Sequence, residues 1–136
     1  MKIKLDAGAY MPTRAHDTDA GLDLYAMKTG YVFAGHQTII DTGVHVAIPE
    51  GYVGLLTSKS GLMAKGITSR GTIDCGYTGS IKAVLFNHGE EAFLVEEGSK
   101  VTQLVLLPII TPKLEVVSDL DETDRGSGGF GSTGRM

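Results

Sequence analysis

Apolar and polar residues alternate in short bursts along this chain, and each burst stops at a turn signal. The bursts are Lys2–Leu5, Leu22–Ala26, Tyr31–Phe33, Thr38–Asp41, Val44–Ile48, Tyr52–Thr57, Thr72–Asp74, Ile81–Asn87, Ala92–Val95, Val101–Pro108 and Leu114–Val117. They are rich in β-branched and aromatic residues. Thr-Gly, Ala-Gly, Pro-Glu-Gly, His-Gly-Glu-Glu and Glu-Glu-Gly-Ser separate them. A period of two puts one face of each segment into a core, and short spacing with Gly/Pro turns predicts an antiparallel sandwich or barrel. Ser58–Lys65 alone has helical character, and Gly61 and Gly66 hold it to about two turns. The expected fold class is all-β with one short helix.

Composition narrows this further. The 136 residues suit one domain. Nineteen glycines without a Gly-X-Y period punctuate strands and build no fibre. Twelve Lys+Arg against sixteen Asp+Glu leave a net charge of −4, which argues against a phosphate-backbone binder and predicts no nucleic-acid partner. One cysteine, Cys75, excludes an intramolecular disulfide and a multi-cysteine zinc site. The opening Met-Lys-Ile-Lys-Leu-Asp has no secretory apolar run, and Leu104–Ile110 is too short to span a bilayer. These features predict a cytoplasmic protein with no membrane partner.

From Ser118 the character changes. Ser118–Asp124 carries four acids, and Arg125–Met136 carries five glycines and one aromatic. Residues 118–136 therefore form an arm, separate from a β domain at 1–117. This arm has no apolar face to offset an ordering cost of about 1–2 kcal/mol per residue. Gly126 and Gly131, followed by Ser132 and Thr133, are spaced like a phosphate-binding loop, but Ser132 stands where that loop has lysine. A disordered terminus and a mobile anion lid both fit.

Other stretches carry weak signals singly. Asp23 lies inside an apolar strand start, where an edge carboxylate is the plain alternative. Ser58-Lys59-Ser60-Gly61 groups hydroxyls and a cation at a helix start, which binds anions or simply caps a helix. Gly71–Gly79 reads as a hairpin with Asp74 entering the turn and Tyr77 near the tip, and turn aspartates are commonly only that. His16, His36, His45 and His88 show no metal-ligand spacing.

In order, these pieces form a set. Ala20–Leu24, Ser58–Gly61, Gly71–Gly79 with Ile81–Asn87, Gly98–Leu104 and Arg125–Gly134 resemble the five motifs of the trimeric dUTPase family, across nearly the whole chain. The resemblance implies a jelly-roll subunit, a homotrimer with shared active sites, and Mg²⁺-dependent hydrolysis of dUTP to dUMP and pyrophosphate. It makes Asp74 the general base and the holder of the 3′-hydroxyl, and Tyr77 the floor under the deoxyribose. Thr72, Ile73 and Lys82 match positions facing nucleoside and base. Lys59, Ser60, Gly61 and Gln103 match phosphate contacts. Arg125, Phe130, Gly131, Ser132 and Thr133 match the closing tail, with Phe130 over uracil and the arm covering another subunit's site. Asp23 matches an acid that meets the metal through water.

Two departures stand out. Lys59 replaces the usual arginine, giving a point charge without a bidentate fork. The Gly61–Gly71 stretch is short for the family, and Thr68, with Ser69 beside it, is the match by spacing for the reader of the uracil edge. Different chemistries remain as alternatives: a dCTP deaminase-like enzyme, which would need further acid and Arg residues near the base, or an inactive relative serving as a nucleotide-binding or regulatory protein.

Overall fold

The computed structural model describes residues 1–134; Arg135 and Met136, the end of the predicted arm, lie outside the described residues. Among the described residues the chain forms eleven strands and one single-turn helix, as the alternation predicts. In order these are β1 (Ile3–Leu5), β2 (Gly21–Tyr25), β3 (Gly30–Val32), β4 (Gln37–Asp41), β5 (Val44–Val46), β6 (Tyr52–Thr57), α1 (Ser60–Met63), β7 (Ile67–Ser69), β8 (Gly71–Ile73), β9 (Lys82–Asn87), β10 (Phe93–Val95) and β11 (Lys100–Pro108). The fold is an all-β jelly roll. A four-stranded sheet runs β2-β11-β6-β8 and a three-stranded sheet runs β4-β9-β7; β1-β5 and β10-β3 make two antiparallel pairs.

The burial of β9 shows why these residues choose strands. Ala83, Leu85 and Asn87 point inward while Lys82, Val84 and Phe86 point away. One core cluster joins Leu24, Val44, Ile48, Leu56, Ile73, Ile81 and Leu104; a second joins Val32, Ile40, Ile67, Leu85, Val95 and Val101. β11 serves both. A register shift between Lys100 and Thr102 interrupts its alternation, so Val101 and Thr102 are both buried. Such a bulge re-aims side chains. Buried polar groups are paired: Thr102 Oγ1 accepts from Ser69 Oγ at 2.9 Å and donates to the Thr57 carbonyl at 3.0 Å. Asn87 Nδ2 donates to the Val32 carbonyl at 2.8 Å.

Four expectations are corrected. The helix is shorter than Ser58–Lys65. Ile67–Ser69 is a strand that local pattern did not reveal, held by pairing with β9. Leu114–Val117 is not a strand; Leu114 and Val116 are almost fully exposed, and the last ladder contact is Pro108 with Tyr52. Gly71–Gly79 is not part of a hairpin. β8 pairs with β6, and β9 pairs with β4 and β7, so Asp74–Ile81 is a loop crossing between sheets.

Candidate active site

Strand register assembles the first group of predicted residues. Asp23 on β2 faces Gln103 on β11, and Gln103 faces Thr57 on β6, so the three lie abreast on adjacent strands. Just past Thr57 the chain turns outward as Ser58-Lys59-Ser60. Lys59 Nζ donates to Asp23 Oδ1 at 2.5 Å, and Lys100 Nζ donates to Asp23 Oδ2 at 3.0 Å. The Asp23 side chain is only 5 % exposed, whereas its cations reach solvent. Burial pushes the Asp23 carboxyl up, but bonds and charges from Lys59 and Lys100 outweigh it and hold the group below its usual value. Gln103 Nε2 points at the Ser58 carbonyl at 3.4 Å. A side chain on Gly21 would collide with Gln103, so that glycine keeps the amide's place open.

The Ser58 hydroxyl takes neither role weighed for it. It accepts from Ser69 N at 2.9 Å and donates to Ser69 O at 3.1 Å, tying the end of β6 to β7. Helix α1 has four residues and no side-chain cap, too short to hold an anion by its dipole.

The second group gathers at the Asp74–Ile81 loop. Thr72, Ile73, Asp74, Tyr77, Ser80 and Lys82 line an open recess of about 180 Å³. Tyr77 N donates to the Asp74 carbonyl at 3.0 Å, closing the turn, and Tyr77 Oη donates to the Ser80 carbonyl at 2.8 Å. A Cβ on Gly79 would lie 2.5 Å from Tyr77 Oη, so the ring lies flat against the loop only because residue 79 is glycine. Ser80 Oγ bonds Asp41, which also accepts from Gly43 N at 2.9 Å. Burial raises the Asp41 carboxyl, but these bonds and the Lys82 and His45 charges bring it below its ordinary value.

The two groups sit at opposite ends of one strand. Ile73 faces Gly54, so Asp74 comes level with Val53, while Gln103 faces Thr57, four residues further along β6, and the Lys59 ammonium is held on Asp23 at that same level. At ~3.3 Å per residue that is about 13 Å along the strand. Thr68 is not at the loop either. It lies on β7, with Oγ1 2.8 Å from His88 Nε2, beside a separate cavity that it shares with Ser58, Arg70 and Phe86. Arg125, Phe130, Gly131, Ser132 and Thr133 are brought to neither group. The hydrogen bonds described for 118–134 stay within that segment, as in Arg125 Nε to the Gly128 carbonyl at 2.9 Å. Phe130 is fully exposed with φ of 50°.

Lys100, Gly21, Gly79, Ser80, Asp41 and His45 belong to these surroundings without having been singled out. Lys100, Gly21 and Gly79 lie within the motif stretches. On the β2–β11 ladder Lys100 pairs with Tyr25 and Gly21 with Val105, each two positions along β2 from the Asp23–Gln103 pair, and that pairing is the signal that would have found Lys100 and Gly21.

No cluster of three or more His, Cys, Asp or Glu side chains among the described residues could cage a metal. Both Asp23 oxygens are already engaged by ammonium groups. A Mg²⁺ would therefore be carried by phosphate oxygens and water and not by a protein cage, and Asp23 is the residue that could meet it through water.

A family profile described as dUTPase matches residues 7–134. The deoxyuridine 5′-triphosphate nucleotidohydrolase of Clostridium tetani is 44 % identical, covering 99 % of this chain and 97 % of its own. That of Clostridium acetobutylicum is 42 % identical, covering 98 % and 96 %. Among solved structures, the Staphylococcus bacteriophage 80alpha dUTPase with dUpNHpp superposes at a TM-score of 0.93 and 34 % identity over 98 % of both chains. A variant dUTPase from phage phi11 of S. aureus, which coordinates a structural Mg(II) ion, superposes at 0.81 with 34 % identity, covering 87 % of this chain and 96 % of its own.

Proposed function

The chain belongs to the dUTPase family, and from that premise we propose that it cleaves dUTP to dUMP and pyrophosphate using water activated by Asp74. It is a hydrolase of the deoxyuridine triphosphate nucleotidohydrolase type. The observation that carries the residue assignment is the recess in which Asp74 and Tyr77 lie together, the ring pinned by Ser80 and given room by Gly79.

Asp74 is exposed at the mouth of that recess, where a carboxylate can take a proton from water and accept from a sugar 3′-hydroxyl. Tyr77 packs under the sugar and leaves no space for a 2′-hydroxyl. Backbone groups of Thr72, Ile73 and Lys82 face the nucleoside. Lys59, Ser60, Gly61 and Gln103 hold the phosphates. One of the three Lys59 protons is committed to Asp23, which leaves two donors for phosphate oxygen. When bound, Mg²⁺ on the triphosphate neutralises its charge and orients its oxygens, with Asp23 contacting it through water. Water then attacks the α-phosphorus in line and pyrophosphate leaves, a reaction governed by positioning and charge neutralisation.

The separation of about 13 Å along β6 between Asp74 and the Lys59–Gln103 group supports a homotrimer in which each site takes these groups from different subunits. The segment 118–136, exposed over most of its described residues 118–134, acts as the arm: Arg125, Ser132 and Thr133 meet the γ-phosphate, Gly131 lets the chain turn, and Phe130 covers uracil. Thr68 on β7, bonded to His88, remains the candidate for the uracil edge. No helix among the described residues is long and apolar enough to cross a membrane, and a nucleotide substrate fits a cytoplasmic location.

The test is pyrophosphate release from dUTP, dTTP, dCTP and UTP with Mg²⁺, for the natural chain and Asp74→Asn. The natural chain should act on dUTP alone, and Asp74→Asn should lose about 10²–10⁴ in kcat while dUTP binding persists. Turnover within about tenfold of the natural chain would remove Asp74 from the base role.

A further inference from the structure

Outside the motif stretches, His45 on β5 reaches across to the Asp74–Ile81 loop. Its Nδ1 lies 2.8 Å from the Thr78 carbonyl, and its Nε2 lies 3.0 Å from Asp6 Oδ1. Both partners are acceptors. A neutral imidazole has one N–H and serves only one of them; an imidazolium donates to both. Thr78 lies between Tyr77 and Gly79, the residues that form and clear the floor of the recess. The side chain is 19 % exposed, so the ring is fixed in place yet in contact with water.

We propose that His45 is a positioning residue for dUTP hydrolysis, its doubly donating protonated ring setting the pose of the Tyr77 loop. This rests on the reading of that loop as the deoxyribose pocket. The charged groups around the ring decide when it holds its proton. Asp6 follows β1, Lys4 pairs with His45 across the β1–β5 ladder, Lys2 borders the same shallow depression, and Asp41 at the end of β4 feels the ring's charge beside Lys82. From the loop comes the uncharged Thr78 carbonyl. The bonds to Thr78 and Asp6 raise the ring above its ordinary value, against burial and Lys4. The sign follows: the double bond is complete at low pH and is lost as pH climbs through the raised value. The single proton then left goes to the charged Asp6 carboxylate, the stronger acceptor. Nδ1 then turns a lone pair toward the Thr78 carbonyl, and the loop tip loses its tie to β5.

The experiment uses the full chain, His45→Ala and Asp6→Asn, with dUTP kinetics from pH 6 to 8.5 and a proton NMR titration of the His45 ring. Expected is a ring that titrates above about 6.5. Across that titration the natural chain's kcat/KM, taken as a ratio to His45→Ala to cancel nucleotide titration, falls about three- to tenfold, the size of one hydrogen bond. The change should lie in KM. Asp6→Asn keeps the ring, should move the inflection to lower pH, and carries the test alone if His45→Ala does not fold. A ring titrating at or below about 6.5, a flat ratio, or an inflection unmoved by Asp6→Asn overturns the proposal. A flat ratio where Asp74→Asn has lost turnover removes only His45; an active Asp74→Asn removes the reading of the loop itself.

Discussion

Two inactive variants, mixed, put the separation along β6 to the test. One carries Asp74→Ala, the other Lys59→Ala with Gln103→Ala. A general base within hydrogen-bond reach of its water, and water in reach of phosphorus, keep the reacting phosphorus within about 7 Å of the Asp74 carboxylate. Within one chain the Lys59–Gln103 group lies about 13 Å along β6 from Asp74 at ~3.3 Å per residue, and β6 is held in the sheet between β11 and β8. Under the proposed shared site, each centre combines Asp74 of one subunit with Lys59 of another. Equal amounts of the two variants, refolded together, should regain about a quarter of full activity, because each site in a closed ring draws its two parts independently. Pyrophosphate release is the assay; in mixed trimers isolated through a different affinity tag on each variant, one site of the three is whole, so these should show about a third of full activity. A chain ending at Asp124, mixed with Asp74→Ala, asks the same of the arm. Mixed trimers that stay dead would refute the shared site, since a single-chain site can never be whole in such a mixture.

Two further outcomes follow from the same geometry. Tyr77→Ala should raise kcat/KM for UTP relative to dUTP by about tenfold or more, because the ring that fills the place of a 2′-hydroxyl is gone; unchanged discrimination would put ribose rejection elsewhere in the loop. Asp23→Asn should cost about 1–2 kcal/mol at pH 7, as two partly solvated ammonium groups lose their charged acceptor. The folded carboxyl lies below its unfolded value of about 3.9, so its contribution is present at neutral pH and fades as acid carries the solution through the lowered value. Thermal unfolding between pH 2.5 and 7 should thus show a flatter acid limb for Asp23→Asn, and parallel limbs would contradict the assigned pairing.

Alternation was readable where a strand has one wet face and one buried face, as in β6 and β9. It misled where the partner decides. Ile67–Ser69 offers one apolar side chain between Gly66 and Arg70, and only its distant ladder to β9 makes it a strand. Leu114–Val117 alternates as well as any segment, yet alternation names the face to be buried and not what buries it. The loop after Ile73 was legible as a turn near Asp74, but its crossing from one sheet to another depends on which strands capture β8 and β9. The site divides the same way. Asp23, Lys59, Gln103, Asp74 and Tyr77 stand in motif stretches. The side chains that hold them, Lys100, Ser80, Asp41 and His45, are joined to them by contacts spanning as much as 77 positions, as between Asp23 and Lys100, and spacing alone carries no sign of those. Thr68 lies at the matching count before Asp74, and spacing alone carries no sign of its bond to His88.

The exposed C-terminal stretch and the divided site make the same demand on the protein. After Ile109 N bonds the Gly51 carbonyl, the chain leaves the barrel, and Ile110, Leu114, Val116 and Leu120 stand more than four-fifths exposed. Fully burying each such side chain is worth about 1.5–3 kcal/mol, so a surface that accepts this segment gains stability from residues that contribute nothing in the isolated subunit. A neighbouring subunit supplying that surface would also direct Arg125 to Thr133 away from their own barrel. The unpacked segment thus begins near residue 110, earlier than the composition change at Ser118. In that arrangement the apolar part up to Leu120 would anchor the arm and the glycine-rich remainder would be the part that closes. Under this arrangement the contacts that hold the trimer together are the ones that bring Arg125, Lys59 and Asp74 of different chains to one triphosphate, and dissociation costs activity before it costs the barrel fold.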